Sequence, residues 1–301
     1  GPALFANWEL LPNPNYGPPT GPYVRSWTEM TWDSVRKEIV VFGGNGYHDY
    51  ENDIWAYNGA TGNWTELDPY VHCPGNFGFS KPNGTDDTAF KYDPVNNLYW
   101  MFGGASGYRC SGQAPFYSAG NGTAPSAIVD PSLPSSVQGY YNGWRVAING
   151  THVDVVGYDA ATRTLNLRSP IAQLAPGQAY QLYATNGAGF WYFDPTTSTW
   201  TGQNTPPGNT GPAPTLGRIA PAVDFSTSDE AFALFGGYST GADHRVWRLD
   251  VRSKQWTALP APATGRPPHM RELLNSFVYD SVNDVFILFG GVCSYDPVCP
   301  E

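Results

Sequence analysis

The sequence has 301 residues, with 16 Lys and Arg against 26 Asp and Glu, which gives a formal net charge of −10. An excess of negative charge repels phosphate, so it argues against a nucleic-acid partner and against adsorption on an anionic membrane. No apolar run reaches the roughly 18 residues that a membrane-spanning helix needs, so we expect a chain that is not membrane-embedded. Together, 34 Gly, 28 Pro and 15% aromatic residues are typical of many short strands joined by tight turns.

The first predicted element is a Trp-containing strand at residues 7–11, and a repeat follows it. The repeat begins with a short strand that ends in an aromatic residue and Asp, at 31–33, 91–94, 223–225 and 278–280. A second strand ends in Phe-Gly-Gly at 39–44, 99–104, 232–237 and 286–291. A third strand is predicted at 52–57, 189–194 and 244–250, and a fourth strand carrying Trp at 63–67, 198–201 and 254–259.

This order of parts resembles the kelch repeat, over roughly residues 20–116 and 186–291. The resemblance implies a β-propeller, a ring of four-stranded antiparallel blades with short, protected edges. It implies no single function, because the kelch family holds oxidases, lyase-like specifier proteins, isomerases and binding modules.

The spacing of the glycine pairs predicts the domain organisation. They lie 60, 133 and 54 residues apart, so about 70 residues interrupt the second unit. We expect a kelch propeller of about four blades from 1–116 and 189–301, and a small all-β, barrel-like insertion at 117–188. Its predicted strands are 144–148, 152–156, 164–167 and 178–183.

The sequence contains three complete blades and only the first half of a fourth, which ends in the last Phe-Gly-Gly at 286–291. The strand at 7–11 is expected to complete it and close the ring. The alternative is that the chain is part of a longer propeller or one unit of a larger array, but a fragment with open blade edges would tend to aggregate.

Four cysteines, Cys73, Cys110, Cys293 and Cys299, lie in loop-like sequence. An even number of loop cysteines favours two disulfides and an oxidising compartment, so an extracellular or cell-surface location is expected. Free thiols are the alternative, and a zinc site is less favoured because no Cys-x-x-Cys spacing occurs.

Charged residues cluster just before the predicted first strand of each unit, where a propeller brings its strands to the axis. The predicted ligand-binding set is Arg25, Glu29, Asp86, Asp87, Arg218, His269 and Arg271. Arginine forks bind carboxylates with two hydrogen bonds, so a polar ligand such as a sugar acid is one interpretation. The alternative is that these charges pair with one another.

Metal chemistry has weaker signals. Some kelch oxidases bind copper through Tyr, His and a Tyr–Cys crosslink, but the spacing of Tyr47-His48 and of 70–73 does not match that motif. No copper ligand is therefore assigned. Calcium is a hypothesis for the acidic loop 48–53, although the glycine of a full calcium loop is missing.

No catalytic motif of a hydrolase, metalloprotease or phosphate-binding enzyme is present. Aromatic residues in predicted loops, among them Tyr23, Tyr47, Tyr50 and Tyr141, favour a non-catalytic protein that binds a glycan or an extracellular protein. Two alternatives remain: a carbohydrate-active enzyme that uses the axial Arg, Asp, Glu and His residues, and a structural subunit that self-assembles through half-blades at its termini.

Overall fold

The computed structural model describes the chain in fourteen segments. They are residues 20–71, 81–82, 84–104, 116–124, 126–133, 141, 144–148, 151–171, 176–184, 190–202, 219–237, 245–260, 270–271 and 276–293. Every regular element in these segments is a β-strand, which confirms the predicted all-β class. No helix in these segments has the length and apolarity that crossing a bilayer requires.

Sheet I contains the first four-stranded repeat. It has the antiparallel order β1-β2-β5-β6, and a small hairpin of β3 and β4 lies between β2 and β5 in the chain. The strands are β1 (Glu29–Asp33), β2 (Glu38–Phe42), β3 (Asn45–Gly46), β4 (Asp49–Tyr50), β5 (Ile54–Asn58) and β6 (Asn63–Asp68).

Sheet II is interrupted by a barrel. The chain forms β7 (Ala89–Asp93) and β8 (Leu98–Phe102), then the six strands of the barrel, and then β15 (Phe190–Asp194) and β16 (Thr199–Gly202). The barrel strands are β9 (Phe116–Ala124), β10 (Ala127–Val129), β11 (Trp144–Ile148), β12 (Thr151–Asp159), β13 (Thr164–Leu167) and β14 (Pro176–Ala184). Since β8 pairs directly with β15, the barrel interrupts the chain between two neighbouring strands of one sheet.

Sheet III repeats the four-stranded order, and sheet IV is a hairpin in the described residues. Sheet III consists of β17 (Ala222–Ser226), β18 (Ala231–Phe235), β19 (Trp247–Asp250) and β20 (Gln255–Ala258). The last strands are β21 (Met270–Arg271), β22 (Phe277–Asp280), β23 (Val285–Leu288) and β24 (Val292–Cys293). Sheet IV is β22 with β23, and β21 pairs with β24.

The aromatic-Asp element of the repeat makes the turn between the first two strands. In sheet I, Asp33 Oδ1 accepts the backbone N–H groups of Val35 and Arg36, both at 2.8 Å. Asp93 in sheet II and Asp280 in sheet IV accept the corresponding pairs. A short carboxylate that caps its own turn explains why Asp recurs at this position.

The first strands of the four sheets lie side by side in the order β1, β7, β17, β22. We call the face that bears the Phe of Phe-Gly-Gly the forward face of a sheet, and the opposite face the backward face. Phe42 of sheet I stacks on Phe90 of sheet II at 5.0 Å, and Phe102 of sheet II meets Phe232 of sheet III at 5.0 Å. Each forward face therefore packs on the backward face of the next sheet, and these contacts form the apolar core.

The glycine pair allows neighbouring segments to approach closely. Gly43 and Gly44 have φ of 61° and 97°, which side chains with a Cβ rarely adopt. A Cβ on Gly44 would lie 2.8 Å from the backbone oxygen of Ser26, and the Gly44 N–H donates to Thr85 O at 2.8 Å. The pair thus joins sheet I to the segment that leads into sheet II.

The barrel has a separate core. β9 pairs with both β10 and β14, so the six-stranded sheet closes on itself. Its interior contains Tyr141, Tyr158 and Tyr180 among aliphatic residues. Tyr141 was expected among the loop aromatics, and it is instead 1% exposed.

Candidate functional site

The β3–β4 hairpin, which lies in the chain between the central strands β2 and β5 of sheet I, carries two aromatic rings at its turn. Gly46 pairs with Asp49, so Tyr47 and His48 form the two-residue turn between them. The Tyr47 side chain is 73% exposed. Glycine is favoured at position 46 because a Cβ would lie 2.8 Å from Glu51 Oε1 and the carboxylate would have to move. The hairpin therefore rests against a carboxylate.

Four rings from three segments form one aromatic cluster: Tyr23, Tyr47, His48 and Tyr70. Tyr47 stacks on Tyr23 with ring centroids 4.7 Å apart, and His48 stacks on Tyr70 at 3.9 Å with an angle of 6° between the planes. The His48 ring also meets Tyr23 and Tyr47 edge-on, at 5.5 and 5.1 Å. These rings form a partly exposed aromatic surface of the kind that stacks on apolar faces of ligands.

Glu51 holds the hairpin part of the aromatic cluster. Its carboxylate is fully buried, accepts the His48 backbone N–H at Oε1 (3.1 Å), and lies 2.9 Å from His48 Nδ1 through Oε2. An ionised carboxylate only accepts, so Nδ1 is the donor in this contact. Nε2 is the ring nitrogen on the side away from this contact.

Asn52 holds the Tyr70 part of the aromatic cluster. The side chain accepts the Val71 N–H at 2.9 Å, and its amide donates to the Val71 and Pro82 carbonyls at 3.0 and 3.1 Å. Asn52 is fully buried, so these bonds replace those that it would make with water. They fix the backbone directly after Tyr70.

Asp53 holds the Tyr23 part through Arg25. The guanidinium makes two bonds to the carboxylate, Nη1 to Oδ1 at 2.5 Å and Nη2 to Oδ2 at 2.9 Å. Arg25 Nε donates to Tyr23 O at 3.0 Å, and Trp55 Nε1 donates to Asp53 Oδ2 at 2.8 Å. Both charged side chains are nearly completely buried, so this pair is a structural anchor.

Three consecutive buried polar residues, Glu51, Asn52 and Asp53, therefore each hold one segment that carries a ring of the aromatic cluster. They are 0%, 0% and 2% exposed. Because the side chains of a binding surface lose less conformational freedom when they are already fixed, such support favours binding.

A second charged pair, at the end of β6, supports the same region. Lys81 Nζ lies 2.6 Å from Asp68 Oδ2 and donates to Pro69 O at 2.6 Å, and Trp200 Nε1 donates to Asp68 at 2.8 Å. Burial lowers the pKa of Lys81, against the opposing effect of Asp68. Burial, followed by the charge of Asp53, raises the pKa of Glu66.

The structure separates the predicted axial residues by role. Arg25 is engaged by Asp53 below the aromatic cluster, whereas Glu29 is buried at the start of β1. Asp86 is buried before β7, and its Oδ1 has no hydrogen-bond partner among the described residues. Burial and then the charge of Asp87 raise the pKa of Asp86 to about 6. The Asp87 carbonyl accepts the Ala220 N–H at 2.6 Å, which links sheets II and III.

The remaining predicted site residues cannot be placed. Arg218, His269, Cys73, Cys110 and Cys299 lie outside the described residues. Of Arg271 and Cys293 only the backbone is described, in β21 and β24. Ligand binding by the axial set and the two disulfides therefore stay predictions.

The acidic loop 48–53 is occupied by protein contacts at Glu51, Asn52 and Asp53. No group of three His, Cys, Asp or Glu side chains in the described segments has the arrangement of a metal site. These residues give the calcium hypothesis no support.

Sequence reasoning singled out Tyr23, Tyr47 and Tyr50 as loop aromatics but did not assemble the aromatic cluster. The contact between Glu51 and His48 is local, but those of Asn52 and Asp53 join residues 19 to 30 positions apart. No local periodicity reports such contacts. The available signal was the run of three polar residues directly before the apolar strand β5.

Comparisons with known proteins give little. No family model and no curated protein matches the sequence. A solved structure of YjhT aligns with 87% of this chain at 13% identity, with a TM-score of 0.42. The chain spans 59% of the length of that structure. A similarity of this size carries no argument about fold or function.

Proposed function

We propose that the chain is a kelch-type β-propeller segment, secreted or displayed on a cell surface, that binds a glycan on the aromatic cluster without catalysis. Sheets I to IV are then successive blades. Their repeated strand order, the recurrent Asp turn and the forward-to-backward packing support this architecture. Loop cysteines and the low charged fraction of 14% support an extracellular location.

The observation that carries the proposal is the exposed Tyr47 ring, stacked on Tyr23 above three buried polar anchors. A sugar ring has apolar C–H faces that stack on aromatic rings and hydroxyl groups that need orienting partners. His48, held at 2.9 Å by Glu51, supplies such a polar group beside the stacked tyrosines.

The test is titration calorimetry with monovalent oligosaccharides identified in a glycan screen. Tyr47→Ala is expected to weaken binding at least tenfold, which corresponds to about 1.4 kcal/mol. Phe289→Ala is the matched control, because this ring is similarly exposed but lies at the end of sheet IV. If Tyr47→Ala binds as tightly as the wild type, the glycan site is not the aromatic cluster.

A second candidate function is proton transfer on a bound carbohydrate. The buried Glu51 orients the His48 imidazole, which is the arrangement of a general base and its positioning residue. NMR of a bound sugar over time separates the two functions. A sugar converted by the wild type but not by His48→Gln identifies an enzyme, and a sugar that both leave unchanged identifies a binding protein.

A further inference from the structure

The two ends of the row of sheets expose apolar faces. On the backward face of sheet I, Met30, Trp32 and Ile39 are 60%, 54% and 39% exposed. On the forward face of sheet IV, Val278, Ile287 and Phe289 are 54%, 48% and 84% exposed. Isolated apolar residues on a surface are ordinary, but contiguous ones mark an interaction surface.

Strand register shows that each set is one continuous face. Trp32 pairs with Ile39, which pairs with Tyr57, which pairs with Trp64. Directly paired residues of antiparallel strands lie on the same face of a sheet. In sheet IV, Val278 pairs with Ile287, and Val285 and Phe289 alternate on that same face.

One of these exposed faces is a forward face and the other is a backward face. Three contacts between a forward and a backward face already occur within the chain. The forward faces of sheets I, II and III pack on the backward faces of sheets II, III and IV. The forward face of sheet IV and the backward face of sheet I are the remaining complementary pair. Val41 and Trp55 on the backward face of sheet I are buried, but the outer residues of both faces given above are exposed in one chain, so the two faces do not cover each other.

We propose that a second copy of this chain occupies both faces. The forward face of sheet IV in one copy packs on the backward face of sheet I in the other, and the same contact recurs at the second end. Two identical contacts close the pair, so no face remains to add further copies. The pair contains eight sheets, which is within the four to eight blades of closed propellers.

A strand formed by residues 7–11 of the same chain would not cover the forward face of sheet IV. A strand added to the edge of β23 extends sheet IV by hydrogen bonding. It leaves the side chains that project from the sheet face, such as Ile287 and Phe289, uncovered. A covering layer requires another sheet, and the second copy supplies one of the complementary kind.

The first test is the mass of the wild-type chain in solution, by light scattering and mass photometry over a dilution series. We expect a particle of twice 32.8 kDa that dissociates on dilution without forming larger species. A constant mass of 32.8 kDa at high concentration would overturn the proposal. An open series of larger assemblies would also overturn it, because it would show that the pair does not close.

Variants at each face sharpen the test. Trp32→Asp and Phe289→Asp are each expected to weaken dimerisation at least 100-fold, whereas Val156→Asp, an exposed barrel position, leaves the dimer intact. The Trp32→Asp chain keeps an intact forward face on sheet IV, and the Phe289→Asp chain keeps an intact backward face on sheet I. An equal mixture of the two should therefore form a heterodimer through one intact contact. Recovery of no heterodimer would contradict head-to-tail pairing. Glycan binding by the separate monomers is expected to be unchanged, so this test and that of the proposed function fail independently.

Discussion

Phe42, Phe102, Phe235 and Phe289 occupy one position of the repeat, and the last differs from the others. The first three are 0%, 0% and 1% exposed, whereas Phe289 is 84% exposed. All four precede a glycine pair and follow an apolar strand. The difference is that a following sheet covers the first three. In a repeat protein, burial is therefore a property of the neighbour as much as of the sequence.

Truncation of a covered and an uncovered phenylalanine at this position of the repeat tests the comparison most directly. Phe102→Ala removes a ring enclosed by Phe190, Phe232 and Trp256 and is expected to lower the free energy of unfolding by about 3–5 kcal/mol. Phe289→Ala, measured at a concentration where the chain is monomeric, is expected to change it by less than about 1 kcal/mol. Urea unfolding followed by tryptophan fluorescence gives both values. Equal losses would mean that Phe289 is covered in solution even in the monomer.

The turn aspartates offer a second, smaller contrast. Buried Asp33 accepts the Tyr99 hydroxyl at 2.5 Å and Arg36 Nη1 at 2.7 Å, whereas Asp280 caps an exposed turn. Asp33→Asn is expected to lower the free energy of unfolding by about 2–3 kcal/mol at pH 7, because it leaves buried donors poorly paired. Asp280→Asn should have a much smaller effect.

The pH dependence checks the cause of the Asp33 effect. Burial acts to raise the pKa of Asp33, but the hydrogen bonds from Tyr99, Arg36 and Val35 outweigh it and lower the pKa below 3.8. A lowered carboxyl pKa stabilises the fold above the unfolded value and loses this effect as pH falls through the folded value. The difference between wild type and Asp33→Asn should therefore persist to pH 4 and shrink below it. A difference that is constant down to pH 2 would contradict this explanation.

Substitution of Asp86, which lies just before the first strand of sheet II, is expected to have the smallest effect on stability. It should stabilise the fold, whereas the substitutions above destabilise it. Sheet II has Asp86 where sheets I and III have Ser26 and Ile219. The pKa of Asp86 is raised to about 6, so its charged form destabilises the fold progressively as pH rises from the unfolded value of 3.8 to about 6. Asp86→Asn is expected to stabilise the chain by about 1–2 kcal/mol at pH 7.5 and by little at pH 4.

Thermal unfolding at the two pH values measures the Asp86 effect, with Asp229→Asn as the control for loss of an exposed charge. A variant that is less stable than the wild type at pH 7.5 would instead indicate that Asp86 pairs with a cation.

Much of the strand pattern was predictable from the sequence. Apolar alternation, the capping Asp and the glycine pair are local signals, and the bounds of β13 follow from such alternation. The pairing of β8 with the strand after the insertion follows from the order of strands in the repeat. The aromatic cluster was not predictable, because Tyr23, His48 and Tyr70 meet only once the loops are folded. Arg25 likewise is of a residue type that binds anionic ligands, and only the structure shows that it pairs with Asp53.

The barrel between β8 and β15 has a consequence for how such chains diversify. Its first and last strands pair with each other, with Leu182 opposite Phe116, so the inserted segment starts and finishes on adjacent strands. The barrel connects two paired strands of sheet II, as a hairpin loop does. Its length adds little to the entropic cost of that connection, because the entropy of loop closure rises only slowly with length. The position between β8 and β15 is therefore a natural grafting point, where one domain can be exchanged for another in evolution or in the laboratory while the strand pairing around it is kept.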